Sequence, residues 1–299
     1  MKRPPALKKG DRIGIAAPAR KITFGEIEKA LTIFEDHGYH VIYDEELFAV
    51  QDQYAGDDDL RAAYFQQMLD DDRVKAIFPA RGGYGSVRII DKLDFARFCR
   101  NPKWIIGYSD ITVFHSHINR NFGIQTLHAT MPVNFAGNKP QAIEGMFDVL
   151  EGGFPDYSID SHPLNRQGSA RGVLAGGNLS VLYSLLGSRS FPETKGKILF
   201  LEDLEEYLYH IDRMMVALKR ANILKDLAGL IIGGMTKMND NEISFGKTAE
   251  EIIREAVDEY SYPVCFGFPA GHIVDNRPLI MGAETEMEVG KKVKVGFVE

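Results

Sequence analysis

The stretch KWIIGYSDITVFHSH, Lys103–His117, holds a whole strand-to-helix transition. Trp104, Ile105 and Ile106 form a short apolar run suited to a buried strand, Gly107-Tyr108-Ser109-Asp110 makes a corner, and the residues that follow read as a helix. A buried strand feeding directly into a helix is half of a βαβ unit, so a parallel sheet is expected. Working toward the N-terminus, the same alternation recurs. VKAIFPA is a strand and SVRIIDKLDFARFC a helix; before them come the helix DDLRAAYFQQMLDD, with acidic residues in its first turn, and the strand HVIYDEEL. EIEKALTIFEDHGY sets Ile27, Leu31 and Phe34 at helical spacing and closes on Gly38, and RIGIAAPA is the first strand. Residues 1–150 therefore read as an α/β domain with a doubly wound, mostly parallel sheet.

Residues 151–171, EGGFPDYSIDSHPLNRQGSAR, are scattered with Gly, Pro, Ser and Asn and read as a linker. Residues 172–299 then read as a second α/β domain. Its strands are GKILFLED, LAGLIIGGM and PVCFGFPAGH; its helices are YHIDRMMVALKRANIL and KTAEEIIREAVDEY. A β-rich tail, LIMGAETEMEVGKKVKVGFV, alternates with a period of two and breaks at Gly290-Lys291. The chain has 299 residues, 44% of them hydrophobic, enough for a substantial core. Its net charge is −7, with no long basic run, which argues against a nucleic-acid or membrane-surface partner. Two distant cysteines, Cys99 and Cys265, indicate neither a disulfide framework nor a thiolate metal site and fit a reducing compartment. IGIAAPA, interrupted by Pro18, makes a poor secretory segment, and no apolar run reaches membrane-span length.

Ser109 admits two readings. Serine is a preferred helix N-cap, and Asp110 favours the same helix end. Alternatively, a strand-to-helix corner projects a nucleophile at the carboxyl end of a sheet, although GYSDI lacks the second glycine of G-x-S-x-G. A serine nucleophile needs a base, a group that orients the base, and donors for the oxyanion. His272, after PVCFGFPAG and beside Gly271, is the best-placed histidine. His115 and His117, two apart on a helix, point to different faces, and His128 reads as a core or supporting residue. Glu202 follows the apolar run ILFL and suits the orienting role, but spacing leaves Asp203, Glu205 and Glu206 open. The glycine turn in PARGGYGSVRI exposes backbone amides near a helix start, suited to an anion or a developing oxyanion.

Taken in order, IGIAAPA, RGGYGS, GYSD, AGGNLSVL, LFLED and GHIVDNRPLIMG make the chain resemble the muramoyl-tetrapeptide LD-carboxypeptidase family of serine peptidases, which also includes the microcin C immunity proteins. The resemblance implies a two-domain arrangement and a Ser-Glu-His triad at Ser109, Glu202 and His272. It also implies backbone oxyanion donors at Asp110 and in the Gly83–Gly85 turn. The implied activity is removal of terminal D-alanine from a cytoplasmic murein tetrapeptide in cell-wall recycling, with no metal or organic cofactor and with a homodimer as the assembly. A carboxypeptidase must also bind a free carboxylate, for which Arg81 and Arg277 are candidates, each equally explained as a surface ion pair. Tyr84 joins the candidate substrate-binding residues. So does Asn178, for which a helix cap is the preferred explanation. An immunity-type amidase acting on peptidyl-nucleotides is the alternative within the same chemistry, weakened because the single tryptophan, Trp104, sits in an apolar strand. A non-catalytic α/β ligand-binding protein is the alternative from another class.

Overall fold

The computed structural model describes residues 1–298. In chain order its strands and helices are β1 (Arg12–Ala16), α1 (Phe24–Asp36), β2 (His40–Ile42), α2 (Asp58–Asp70), β3 (Val74–Pro79), α3 (Ser86–Ile89), α4 (Ala96–Arg100), β4 (Trp104–Gly107), α5 (Thr112–Phe122), β5 (Thr126–His128) and α6 (Pro140–Leu150). There follow β6 (Asp156–Asp160), β7 (Gly168–Asn178), α7 (Leu179–Ser184), β8 (Ile198–Leu204), α8 (Leu208–Arg220), β9 (Gly229–Thr236), α9 (Ala249–Ala256), β10 (Val264–Cys265), β11 (Leu279–Met281), β12 (Glu284–Val289) and β13 (Lys292–Phe297). Local chemistry explains several boundaries. Thr23 with Glu26 and Thr248 with Glu251 form capping boxes at the starts of α1 and α9, and Gly38, at φ +84°, follows the end of α1.

Two sheets result. The first has the order β11-β5-β4-β3-β1-β2, with β1 to β5 parallel and β11 antiparallel to β5. The second has the order β10-β9-β8-β7-β12-β13-β6, parallel from β10 to β7 and antiparallel from there on. The long strand β7 joins the two styles. Its Gly168–Val173 part pairs with β12 and its Leu174–Asn178 part with β8. The α/β class with a β-rich tail is thus as expected.

Four local readings differ. Residues 156–160, inside the expected linker, form β6 at the edge of the second sheet, because each of them lies opposite a residue of β13, from Asp156 with Gly296 to Asp160 with Lys292. The helix expected over SVRIIDKLDFARFC is broken: Leu93 is extended, Gln66 holds both the N–H and the carbonyl of Asp94, and the Asp94 side chain accepts from Ala96 N to start α4. HVIYDEEL is strand only to Ile42 and then turns into a 3-10 helix, Glu45–Phe48. PVCFGFPAGH stays extended only at Val264–Cys265, because Gly267 (φ +71°) and Gly271 (φ +106°) turn the chain and Pro269 lacks a donor for a ladder.

The two halves share one apolar core. Ile15, Phe78 and Phe114 from the first sheet and its helices belong to the same buried cluster as Leu174, Phe200 and Val295 from the second. A separate cluster, including Leu201, Met214, Leu218 and Ile252, packs α8 and α9 on the other face of the second sheet. Along β8, period-two alternation sends Ile198 and Phe200 to the shared core and Leu199 and Leu201 to the outer one. Contact between the halves is also polar: Asn178 N donates to Thr112 Oγ1 at 3.0 Å, at the first residue of α5. Cys99 and Cys265 are unpaired. No helix among the described residues is long and apolar enough to cross a membrane.

Candidate active site

The carboxyl ends of β3 and β4 meet at the Ser109 corner. Gly107 (φ +156°) leaves β4, and Ser109 itself takes φ +63°, a left-handed conformation that costs an L-residue about 1–2 kcal/mol. The N-cap reading does not apply, because neither the 3-10 turn Ser109–Ile111 nor α5 has a side-chain cap. No hydrogen bond from Ser109 Oγ is found among the described residues, so the hydroxyl is not committed to the fold. Strain at a residue with no structural hydrogen bond is the pattern of a functional position.

Asp110 welds this corner to the glycine turn. Its buried carboxylate accepts from Ser86 N at 2.8 Å. Burial raises the Asp110 pKa, while the bonds from the Ser86 and Gly85 amides pull against that rise. The glycine that touches the serine is Gly82, which the sequence reading did not single out: a Cβ there would stand 3.0 Å from Ser109 Cβ and 3.1 Å from Oγ. Gly83 (φ +110°) and Gly85 (φ +149°) instead make room for Arg20 and for Arg61 with Ala19. His115, buried and uncharged, sits with Nε2 2.8 Å from the Gly107 carbonyl and braces the corner from behind. Its pKa is lowered to about 4 by burial.

Glu202 and His272 come together from the second half. Glu202 lies on the same face of β8 as Phe200, is fully buried, and takes the His272 ring at Nδ1···Oε2 2.7 Å and the His272 N–H at 3.1 Å. A carboxylate can only accept, so Nδ1 carries the proton and Nε2 is the ring's free acceptor. Burial alone would lower the His272 pKa; the Glu202 carboxylate outweighs it, and the histidine stands above its ordinary value. Asp203, one residue on, faces the other way. It accepts from Ser180 N and Asn178 Nδ2 at 2.9 Å each, and burial together with Glu202 raises its pKa to about 7. Glu206 is engaged with His210 at 2.5 Å. Strand alternation thus settles which acid meets the histidine, and that signal was present in the spacing Ile198, Phe200, Glu202.

No hydrogen bond joins Ser109 to His272 among the described residues. The two halves of the site meet through Tyr108, whose ring packs edge-on against His272 with centroids 4.8 Å apart. Tyr108, His272, Asn134, Leu204 and Lys237 line a cavity of about 620 Å³. Asn276, also missed from sequence, is fully buried and accepts from Gly271 N at 2.8 Å, fixing the loop that carries His272. A lone asparagine in an irregular loop has no periodicity that could have marked it. His128 is buried as expected, with its ring 5.0 Å from Phe200 and 5.8 Å from Tyr108.

The proposed binding residues are more dispersed. Arg81 pairs with Glu26 at 3.0 Å, and Arg277 with Asp275 at 3.3 Å. Arg277 lines a different hollow, with Tyr157 and Pro278. Tyr84 is exposed beside Tyr54. Asn178 caps α7 through Val181 N, the preferred explanation.

A buried carboxylate–histidine pair packs on Tyr108, the residue before the strained Ser109, and acid, histidine and serine are the three residue types a serine hydrolase uses. Residues 13–129 match the LD-carboxypeptidase N-terminal domain and residues 171–287 the LD-carboxypeptidase C-terminal domain; the chain belongs to the LD-carboxypeptidase family of serine peptidases. It is 33% identical to the "Probable murein peptide carboxypeptidase" of Bacillus subtilis, over 98% of this chain and 93% of that one. It is 25% identical to the murein tetrapeptide carboxypeptidase of Pseudomonas aeruginosa, over 93% of each. Among solved structures, muramoyltetrapeptide carboxypeptidase from Oxalobacter formigenes superposes with a TM-score of 0.88 at 24% identity, covering 96% of this chain and 99% of that one. The microcin C7 self-immunity protein MccF superposes at 0.87 with 21% identity, covering 98% and 97%. Both share the fold.

Proposed function

We propose that the protein is a serine carboxypeptidase that removes terminal D-alanine from murein tetrapeptide by cleaving an L,D-peptide bond. The observation that carries this reading is the buried Glu202–His272 pair packed on Tyr108, the residue before Ser109. Relatives named for murein peptides, aligned over nearly their whole length, supply the substrate class.

In this mechanism Ser109 Oγ forms a bond to the scissile carbonyl carbon while His272 Nε2 takes its proton; the Ser109–His272 hydrogen bond that this transfer needs forms once substrate is in place. Glu202 holds the Nδ1–H tautomer and stabilises the imidazolium. The oxyanion donors in this reading are backbone amides of Asp110 and of the Gly83–Gly85 turn; Gly82, at the head of that turn, lies against Ser109, while the Gly85 amide is directed at the Asp110 carboxylate, which favours Gly83 within the turn. Collapse breaks the C–N bond, the imidazolium gives its proton to the leaving D-alanine nitrogen, and water then hydrolyses the acyl-serine. The same reading places the protein in the cytoplasm, in keeping with its two unpaired thiols, and makes it a homodimer. Incubating the protein with a murein tetrapeptide and, separately, with a peptidyl-adenylate analogue, followed by mass analysis, tests it. Release of D-alanine is expected; cleavage of the adenylate analogue alone would replace this reading with an immunity-type amidase.

A further inference from the structure

We infer that Lys237 is the residue that grips the substrate's terminal carboxylate, an inference that rests on the carboxypeptidase reading above. The leaving nitrogen and the free carboxylate of a terminal amino acid are separated by a single α-carbon, so the carboxylate lies only about 3–4 Å from the scissile carbonyl. Its anchor must therefore share the cavity of His272, which protonates that nitrogen. Among the described residues lining this cavity, Lys237 is the one lysine or arginine. Arg81 and Arg277, the cations suggested by sequence, are each engaged by a carboxylate and do not line it.

The backbone at Lys237 is built for a task. Strands β8 and β9 run side by side to the pair Leu204–Thr236, and the next residue on each, Glu205 (φ +59°) and Lys237 (φ +51°), is left-handed without being glycine. Glu205 N donates to Thr236 O at 2.9 Å, and Asn239 Nδ2 donates to Glu205 O at 2.6 Å, so this turned-out rim is held rigidly. Lys237 Nζ stands 3.6 Å from Glu205 Oε1, with the two side chains 71% and 59% exposed. An ion pair that long and that exposed contributes little. The ammonium exchanges Glu205 for a substrate carboxylate at small cost, and Glu205 then turns into solvent.

Calorimetry on the Ser109→Ala protein, with a murein tetrapeptide and its C-terminal amide as probes, tests this directly. With Lys237 present the acid is expected to bind roughly tenfold or more tightly than the amide, as for a hydrogen bond between charged groups. Lys237→Met should erase that preference while leaving amide binding unchanged, and Lys237→Arg should restore most of it. Should Lys237→Met melt early, Lys237→Asn keeps the left-handed backbone comfortable and answers the same question. An acid-to-amide ratio untouched by these variants overturns the assignment. D-alanine release that survives Ser109→Ala would instead overturn the parent reading, whatever Lys237 does.

Discussion

The α-carbon of Gly271 lies directly against Glu202: a Cβ there would stand 2.6 Å from Oε2 and 2.7 Å from Glu202 Cβ, and the backbone is at φ +106°. Glycine is thus required both for the conformation and for the approach that lets His272 reach the acid. Gly271→Ala should destabilise the protein by about 2–5 kcal/mol through overpacking and backbone strain. Turnover should fall by roughly 10²-fold or more as the base loses its orientation. Thermal melting together with kcat measures both; an alanine variant with wild-type kcat would show that the Glu202–His272 contact is not needed for catalysis.

The charge on Glu202 should be visible in the pH profile. His272 must be neutral to act as a base, and Glu202 holds its pKa above the ordinary histidine value. In the wild type, kcat/KM should therefore rise with pH through a midpoint above that value. Glu202→Gln keeps an acceptor but removes the charge, so the midpoint should move to lower pH while the plateau drops. Because the raised pKa belongs to the folded state, the pair adds stability below the unfolded histidine pKa, and this is lost as pH rises through the folded one. Midpoints measured on both proteins check the sign; a shift to higher pH in the variant would contradict it.

Ser109 should behave as a residue kept for chemistry at the expense of stability. Ser109→Ala is expected to fold and to lose nearly all turnover. Ser109→Gly should be equally inactive yet more stable than the alanine variant by about 1 kcal/mol, because glycine accepts φ +63° without the strain that alanine's Cβ brings. Chemical denaturation of the two variants provides the comparison, and a glycine variant less stable than the alanine one would remove the strain argument.

The two halves should not fold apart. Strand β11, from near the C-terminus, pairs Leu279 with His128 and Met281 with Thr126, covering the edge of β5. A fragment of residues 1–150 would expose that edge and half of the shared core, and should be aggregation-prone or unfolded. Mixing it with residues 151–299 should recover D-alanine release. Circular dichroism and hydrogen exchange on the fragments decide the matter; a cooperative melt from residues 1–150 alone would count against a single interlocked unit.

The parallel α/β character of the N-terminal half was legible because buried strands such as Trp104–Gly107 are apolar runs bounded by glycine, and helices such as Phe24–Asp36 carry both a periodic face and a capping box. The hairpin of β12 and β13 was legible from strict alternation around Gly290. Where the reading failed, the cause was non-local. Gln66 breaks the helix after Lys92 from a distant part of the chain, and β6 is a strand only because β13 lies beside it.

The site divides along the same line. The amino-acid order by itself marked a corner after Gly107 at Ser109, the placement of Glu202 at the end of an apolar strand, and the glycine turn before Ser86, because each depends on residues within a few positions of one another; the strain at Ser109 appears only in the structure. Only the tertiary structure decided that His272 rests on Glu202 and Tyr108, that Gly82 rather than Gly83 touches the serine, and that Lys237, not Arg81 or Arg277, faces the cavity. Those contacts join residues many tens of positions apart, and packing of the two sheets on one core sets their distances.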